Sequence, residues 1–246
     1  TGYIPTANAD GTYGVKAGAY VAQIEKGAKY ETLQEAINAA GFDKKVYLLT
    51  DLTVSDTVEI PAGKNITLYL NNHTLTVENG HALRNYGKLY IQRGKVVSKT
   101  GAAVALGGDG VAKLYTYAST ELEGREGAII TGEATGAVID IRGGTYTATD
   151  NAVIAGNGSK RDGNPNKITI TKGTFNGSIT STGYIACGIY APWNDNVIVS
   201  GGTFNITDGA GIVARAGTVK VTGGTFICGD GQTTGWVGDS KNMVPC

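Results

Sequence analysis

Four stretches carry one phrase: IDIRGGTY (139–146), ITITKGTF (168–175), VIVSGGTF (197–204) and VKVTGGTF (219–226). Their glycines Gly144, Gly173, Gly202 and Gly224 stand 29, 29 and 22 residues apart, so the repeating unit is one coil of about 22 residues whose loops lengthen some turns. Before each glycine the apolar residues alternate (Ile139 and Ile141, Ile168 and Ile170, Val197 and Val199, Val219 and Val221), the period of a strand with one buried face. The glycine then marks a bend whose backbone angles a Cβ would resist. Beyond the bend, Thr145, Thr174, Thr203 and Thr225 are expected to point outward. Tyr146, Phe175, Phe204 and Phe226 should fill one inward column.

Weaker copies extend the pattern upstream. LYLNNHTL (68–75) fits with His73 in the glycine place, and LYIQRGKV (89–96) fits with Gly94. A third set of apolar runs falls between the copies, among them Ala103-Val104, Val153-Ile154 and Ile212-Val213, giving three short strands per coil. A unit this small cannot bury its own apolar face; stacked coils place like residue over like and close a continuous core. The expected fold is therefore an all-β, single-stranded right-handed parallel β-helix. An open end would present unpaired strand edges, so a cap is expected. Residues 32–40 supply one, with Leu33, Ala36, Ile37 and Ala40 on one helical face, Thr32 and Glu35 as a capping box and Gly41 as the stop. The chain divides into a lead-in strand or linker (1–29), the β-helix (30–228) and a tail (229–246). Thr1 is preceded by no initiator Met, and no second cap follows Gly229, so the chain reads as part of a longer polypeptide.

Glycine makes 38 of 246 residues, about twice the usual share. It shows no period of three and proline numbers only 5, which excludes collagen. Lys plus Arg equals Asp plus Glu at 21 each, leaving no excess charge to steer the chain onto nucleic acid. No stretch approaches the roughly 18 apolar residues of a membrane span. Cys187, Cys228 and Cys246 are too few for a disulfide scaffold and too dispersed for a zinc motif; they read mainly as small buried hydrophobes, with a Cys228–Cys246 bridge as the alternative.

YETLQEAINAA (30–40), VYLLTD (46–51), KNITLYLNNHTL (64–75) and the GGTF phrases together resemble the right-handed parallel β-helix modules of large surface proteins of Gram-positive gut bacteria, within the broad pectate-lyase-like superfamily. The likeness runs from about residue 20 to 228. It implies a bacterial, cell-surface or secreted, adhesin-type module; balanced charge and short strands demand no trimer, so this chain is expected to be a monomer. The same coil also carries polysaccharide lyases, glycoside hydrolases and phage tailspikes, so fold alone leaves the activity open.

The outward side chains allow a test. Before the bend, one column is expected to hold Tyr69, Tyr90, Tyr115, Asp140, Thr169, Ile198 and Lys220, and the next Asn71, Gln92, Tyr117, Arg142, Thr171, Ser200 and Thr222. The only acid there is Asp140, with Arg142 beside it as a surface ion pair, so the acid cluster that a Ca²⁺-dependent lyase needs is missing and no catalytic residue is assigned. Recurring turn acids Glu78, Asp150 and Asp208 suit Asx-type turns, with a weak Ca²⁺ site as the alternative and no other cofactor expected. His73 and His81 lack a nucleophile in a recognisable motif and read as structural. The feature that points to binding is aromatic: Tyr69, Tyr90 and Tyr115 should stand above one another with Tyr117 alongside, a strip able to contact a glycan or host-surface ligand, although stacked aromatics also stabilise neighbouring strands by themselves. Tyr190 and Trp193, on the 181–196 insert, complete the candidate contact residues. The reading is a non-catalytic extracellular module, spacer or adhesive; the alternatives are a carbohydrate-active enzyme with loop-borne carboxylates and a phage fibre segment.

Overall fold

The computed structural model describes residues 2–132, 134–156, 163–178, 186–191, 194–207, 209–214 and 216–228, with the backbone of 243–244. The chain winds into a parallel β-solenoid of about seven turns. In the four phrase-bearing coils, strand, bend and second strand merge into single strands of 11 residues: Val138–Ala148, Lys167–Gly177, Asn196–Ile206 and Thr218–Cys228. The expected bend is thus a bulge within a strand, seen as register shifts on either side of Arg142 and of Ser200. Gly144 shows why the phrase needs glycine there. It sits at φ +108°, and a Cβ would lie 2.6 Å from the Thr120 carbonyl oxygen of the coil below.

Equivalent residues pile up in columns. Ile66, Leu89, Leu114, Ile139, Ile168, Val197 and Val219 succeed one another inside one sheet, and Val58, Leu83, Val104, Ile129, Ile154, Ile189 and Ile212 do so in the other. After the bulge, Tyr146, Phe175, Phe204 and Phe226 stack with ring centroids 4.9, 4.4 and 4.7 Å apart. This column carries one polar atom, the Tyr146 hydroxyl, and the coil below supplies its partner. Thr116 occupies a core position where the next coil has Ile141, and its Oγ1 lies 2.5 Å from the Tyr146 hydroxyl, which also donates to the Gly143 carbonyl at 2.6 Å. Burial without that pair would leave a hydroxyl unsatisfied.

The helix Leu33–Ala39 closes the first coil as expected, burying Leu33, Ala36 and Ile37 over the core, and Thr32 and Glu35 form the capping box. Ahead of it, Ala22–Ile24 pairs antiparallel with Lys44–Leu48, and Gly2–Ala7 with Tyr13–Gly18 forms a separate hairpin. Lys16 joins that hairpin to Glu31 at 2.8 Å. Of the cysteines, Cys187 is free and buried, its thiol pushed up to about 12 by burial. Cys228 is disulfide-bonded, which corrects the reading of all three as plain buried hydrophobes. Cys246 lies outside the described residues.

Candidate functional site

The outer face of the large sheet is paved by three columns, and their register corrects the expected strip. Lys45, Thr67, Tyr90, Tyr115 and Asp140 form one column. Tyr47, Tyr69 and Gln92 form the next. Tyr69 therefore stands beside Gln92 and not under Tyr90. The cause is local: Thr74 pairs with Lys95 beyond the bend and Tyr69 with Gln92 before it, so the early coil holds two more residues at its bend than its neighbour. Asn71 and Asn72 absorb them with φ of +54° and +64°, a left-handed conformation that asparagine tolerates.

Two tyrosine clusters result. Tyr90 and Tyr115 stack with centroids 4.7 Å apart and planes 19° from parallel. Tyr47 and Tyr69 meet at 5.2 Å with a 56° tilt. Rings stacked at the strand repeat turn their faces to one another, so the Tyr90–Tyr115 pair offers solvent its edges and phenol oxygens in place of flat faces.

Cations occupy the remaining aromatic surface. The Lys88 ammonium lies 5.0 Å from the Tyr90 centroid and 5.6 Å from that of Tyr115. Hydrogen bonding to Tyr90, with Tyr115 and Asp43 nearby, holds that ammonium above its usual pKa. Arg93 sits 5.8 Å from Tyr69 and Arg142 6.0 Å from Tyr117. Arg142 also grips Asp140 Oδ2 through Nε at 3.0 Å and Nη2 at 2.7 Å, the ion pair expected from the sequence. Lys113 follows Lys88 in the third column. Glu25 and Asp140 answer Lys45 and Arg142, whereas Lys88, Arg93 and Lys113 enter no ion pair among the described residues. A chain of zero net charge thus gathers unpaired positive charge onto one aromatic face.

Tyr47, Lys88, Arg93 and Lys113 were not singled out in the sequence, though a signal exists: the tripeptide Lys-Leu-Tyr occurs at 88–90 and again at 113–115. Tyr190 lies away from this face, partly buried against Ala152, Cys187, Ala210 and Val213. Trp193 and Asp208 fall outside the described residues. Asp150 is held by Arg125, with Nε to Oδ2 at 3.0 Å. His73 Nδ1 lies 3.3 Å from Asp51, and His81 Nδ1 accepts the Ala102 N–H at 3.0 Å. Among the described residues no three His, Cys, Asp or Glu side chains gather as a metal-holding group, and no helix is long and apolar enough to cross a membrane. Compared with protein-family models, curated proteins and solved structures, the chain matches none.

Proposed function

We propose that the chain is a non-catalytic extracellular surface module that holds a negatively charged, extended ligand, such as an acidic glycan of a host surface, along its tyrosine and lysine face. The observation that supports this most directly is the Lys88 ammonium set over two stacked tyrosines, with Lys113 next in its column. A stacked pair needs no cation to stabilise the sheet, and two unpaired lysines on neighbouring strands repel each other. An anion laid across them relieves that repulsion, while the tyrosine hydroxyls offer directional hydrogen bonds. The resemblance to β-helix modules of bacterial surface proteins agrees with such a role.

The test is a glycan array containing neutral and acidic chains. Binding to acidic chains is expected to fall about tenfold in Lys88→Ala/Lys113→Ala and to weaken from about 0.05 to 0.5 M salt, because exposed charges are screened. A signal unchanged in both comparisons would sink the reading.

A further inference from the structure

A second feature lies on the outer face of the eight-stranded sheet, where a cleft of about 400 Å³ opens beside the turns that carry Arg125 and Asp150. Its floor is apolar. Ile130 and Ala155 are register neighbours on successive coils, and Tyr190 follows Ala155 in the same column. Gly132 and Gly156 line the cleft without side chains, which leaves the floor open above those residues.

The rim is polar, and each of its groups has a defined role to offer. Arg125 places Nε and Nη2 at 3.0 Å from Asp150 Oδ2, which fixes the guanidinium; its other N–H groups have no partner among the described residues and can donate. Asn151 accepts the Ala152 N–H through Oδ1 at 2.8 Å, which fixes its amide and leaves its NH₂ to donate. Glu126 also lines the cleft, and its carboxylate takes no hydrogen bond or ion pair among the described residues.

We propose that this cleft binds one neutral pyranose ring, such as the terminal sugar of a glycan. The Glu126 carboxylate, with no ion pair among the described residues, disfavours an anion. A simple cation would satisfy Glu126 but would leave the Asn151 and Arg125 donors facing no acceptor. A hydroxylated ring supplies donors to Glu126 and acceptors to Asn151 and Arg125, and its C–H face suits the Ile130 and Ala155 floor. The volume accommodates a single ring. The site stands independently of the tyrosine face, since none of its described lining residues belongs to that face.

Ligand-observed saturation-transfer NMR and calorimetry with a panel of neutral methyl hexopyranosides test it on the chain as it stands. At least one member is expected to saturate the protein with a Kd on the order of 1–10 mM, the range of a single ring in an open cleft. At about pH 7.5, where His81 is neutral in both states, Glu126→Gln and Asn151→Asp, which keep the size of each side chain and the Asn151 turn acceptor, should each weaken that binding about fivefold or more with the melting temperature unchanged, as for other surface substitutions. Tyr90→Ala should leave it intact. Absence of saturation by every glycoside up to about 50 mM would overturn the proposal. So would a glycoside that binds both variants as tightly as the parent.

Discussion

Phe175 and Phe204, separated by 29 residues in the chain, lie with ring centroids 4.4 Å apart and planes 11° from parallel, both fully buried. They are register partners on adjacent parallel strands, and the bulge just before each aims the ring inward. The contact is therefore made by the coil repeat itself. Truncating Phe204 to Ala removes the middle of the stack and leaves a cavity bounded by Phe175 and Phe226, so the expected loss is about 3–5 kcal/mol by urea unfolding. Thr203→Ala, one residue away and facing out, should stay within about 0.5 kcal/mol. Equal effects of the two substitutions would contradict the stacked column.

Gly144→Ala tests the bulge rather than the core. The added methyl group would sit 2.6 Å from the Thr120 carbonyl in a backbone region that L side chains rarely adopt. A loss on the order of 2 kcal/mol is expected. Gly11→Ala, at φ +82° with nothing within 4 Å, isolates the backbone part and should cost less. If the two losses were equal, the contact with the coil below would contribute nothing.

The contrast between these residues and the tyrosine face explains what the sequence reveals. Gly144, Thr145 and Tyr146 recur as a phrase because a bulge, an outward position and an inward ring each tolerate few residue types. The coils they mark were therefore legible. Tyr69 was misplaced because bend and strand need not keep one spacing: His73 and Gly94 do correspond, as the Thr74–Lys95 pairing requires, but Asn71 and Asn72 shift everything before them by two. Lys88 and Lys113 escaped notice because a lysine at a strand start is ordinary in sequence; only register sets one over two rings. The cleft beside Arg125 was illegible for a related reason, since its residues meet through turns whose lengths follow no period.

Asp195 is the polar residue least at ease in the core. It is 1% exposed; Oδ1 accepts from Asn166 Nδ2 at 2.9 Å, and Oδ2 has no partner among the described residues. Burial raises its pKa above the ordinary 3.8, with the Asn166 hydrogen bond acting in the opposite direction. A raised carboxyl means that the folded chain holds the proton more tightly than the unfolded chain. Its contribution is accordingly best below pH 3.8 and declines as pH rises through the folded value. Asp195→Asn removes the charge and keeps the acceptor for Asn166. The variant should be more stable at pH 7 because its neutral amide, whose NH₂ takes the place of Oδ2, brings no charge into the core. That gain should shrink as the pH approaches 3.8, and a constant difference at all pH values would refute the assignment.

His81 gives the opposite slope. Its Nδ1 accepts the Ala102 N–H, so the ring is neutral with its proton on Nε2, and a second proton would cost that hydrogen bond. Burial lowers its pKa below 6.5; Glu126 pulls it up and Arg84 pushes it down by smaller amounts. Because the folded chain now binds the proton less tightly than the unfolded one, the stabilisation is complete above pH 6.5 and is lost as pH falls from there through the folded value. Urea unfolding at about pH 7.5, 6 and 5 should show stability decreasing through this window, and His81→Gln should flatten the decrease. Glu126→Gln, which removes the charge opposing the shift, should lower the folded pKa further and steepen the loss. A wild-type slope retained in His81→Gln would place the titration elsewhere. A Glu126→Gln slope shallower than the wild-type slope would mean that the carboxylate does not act on this ring.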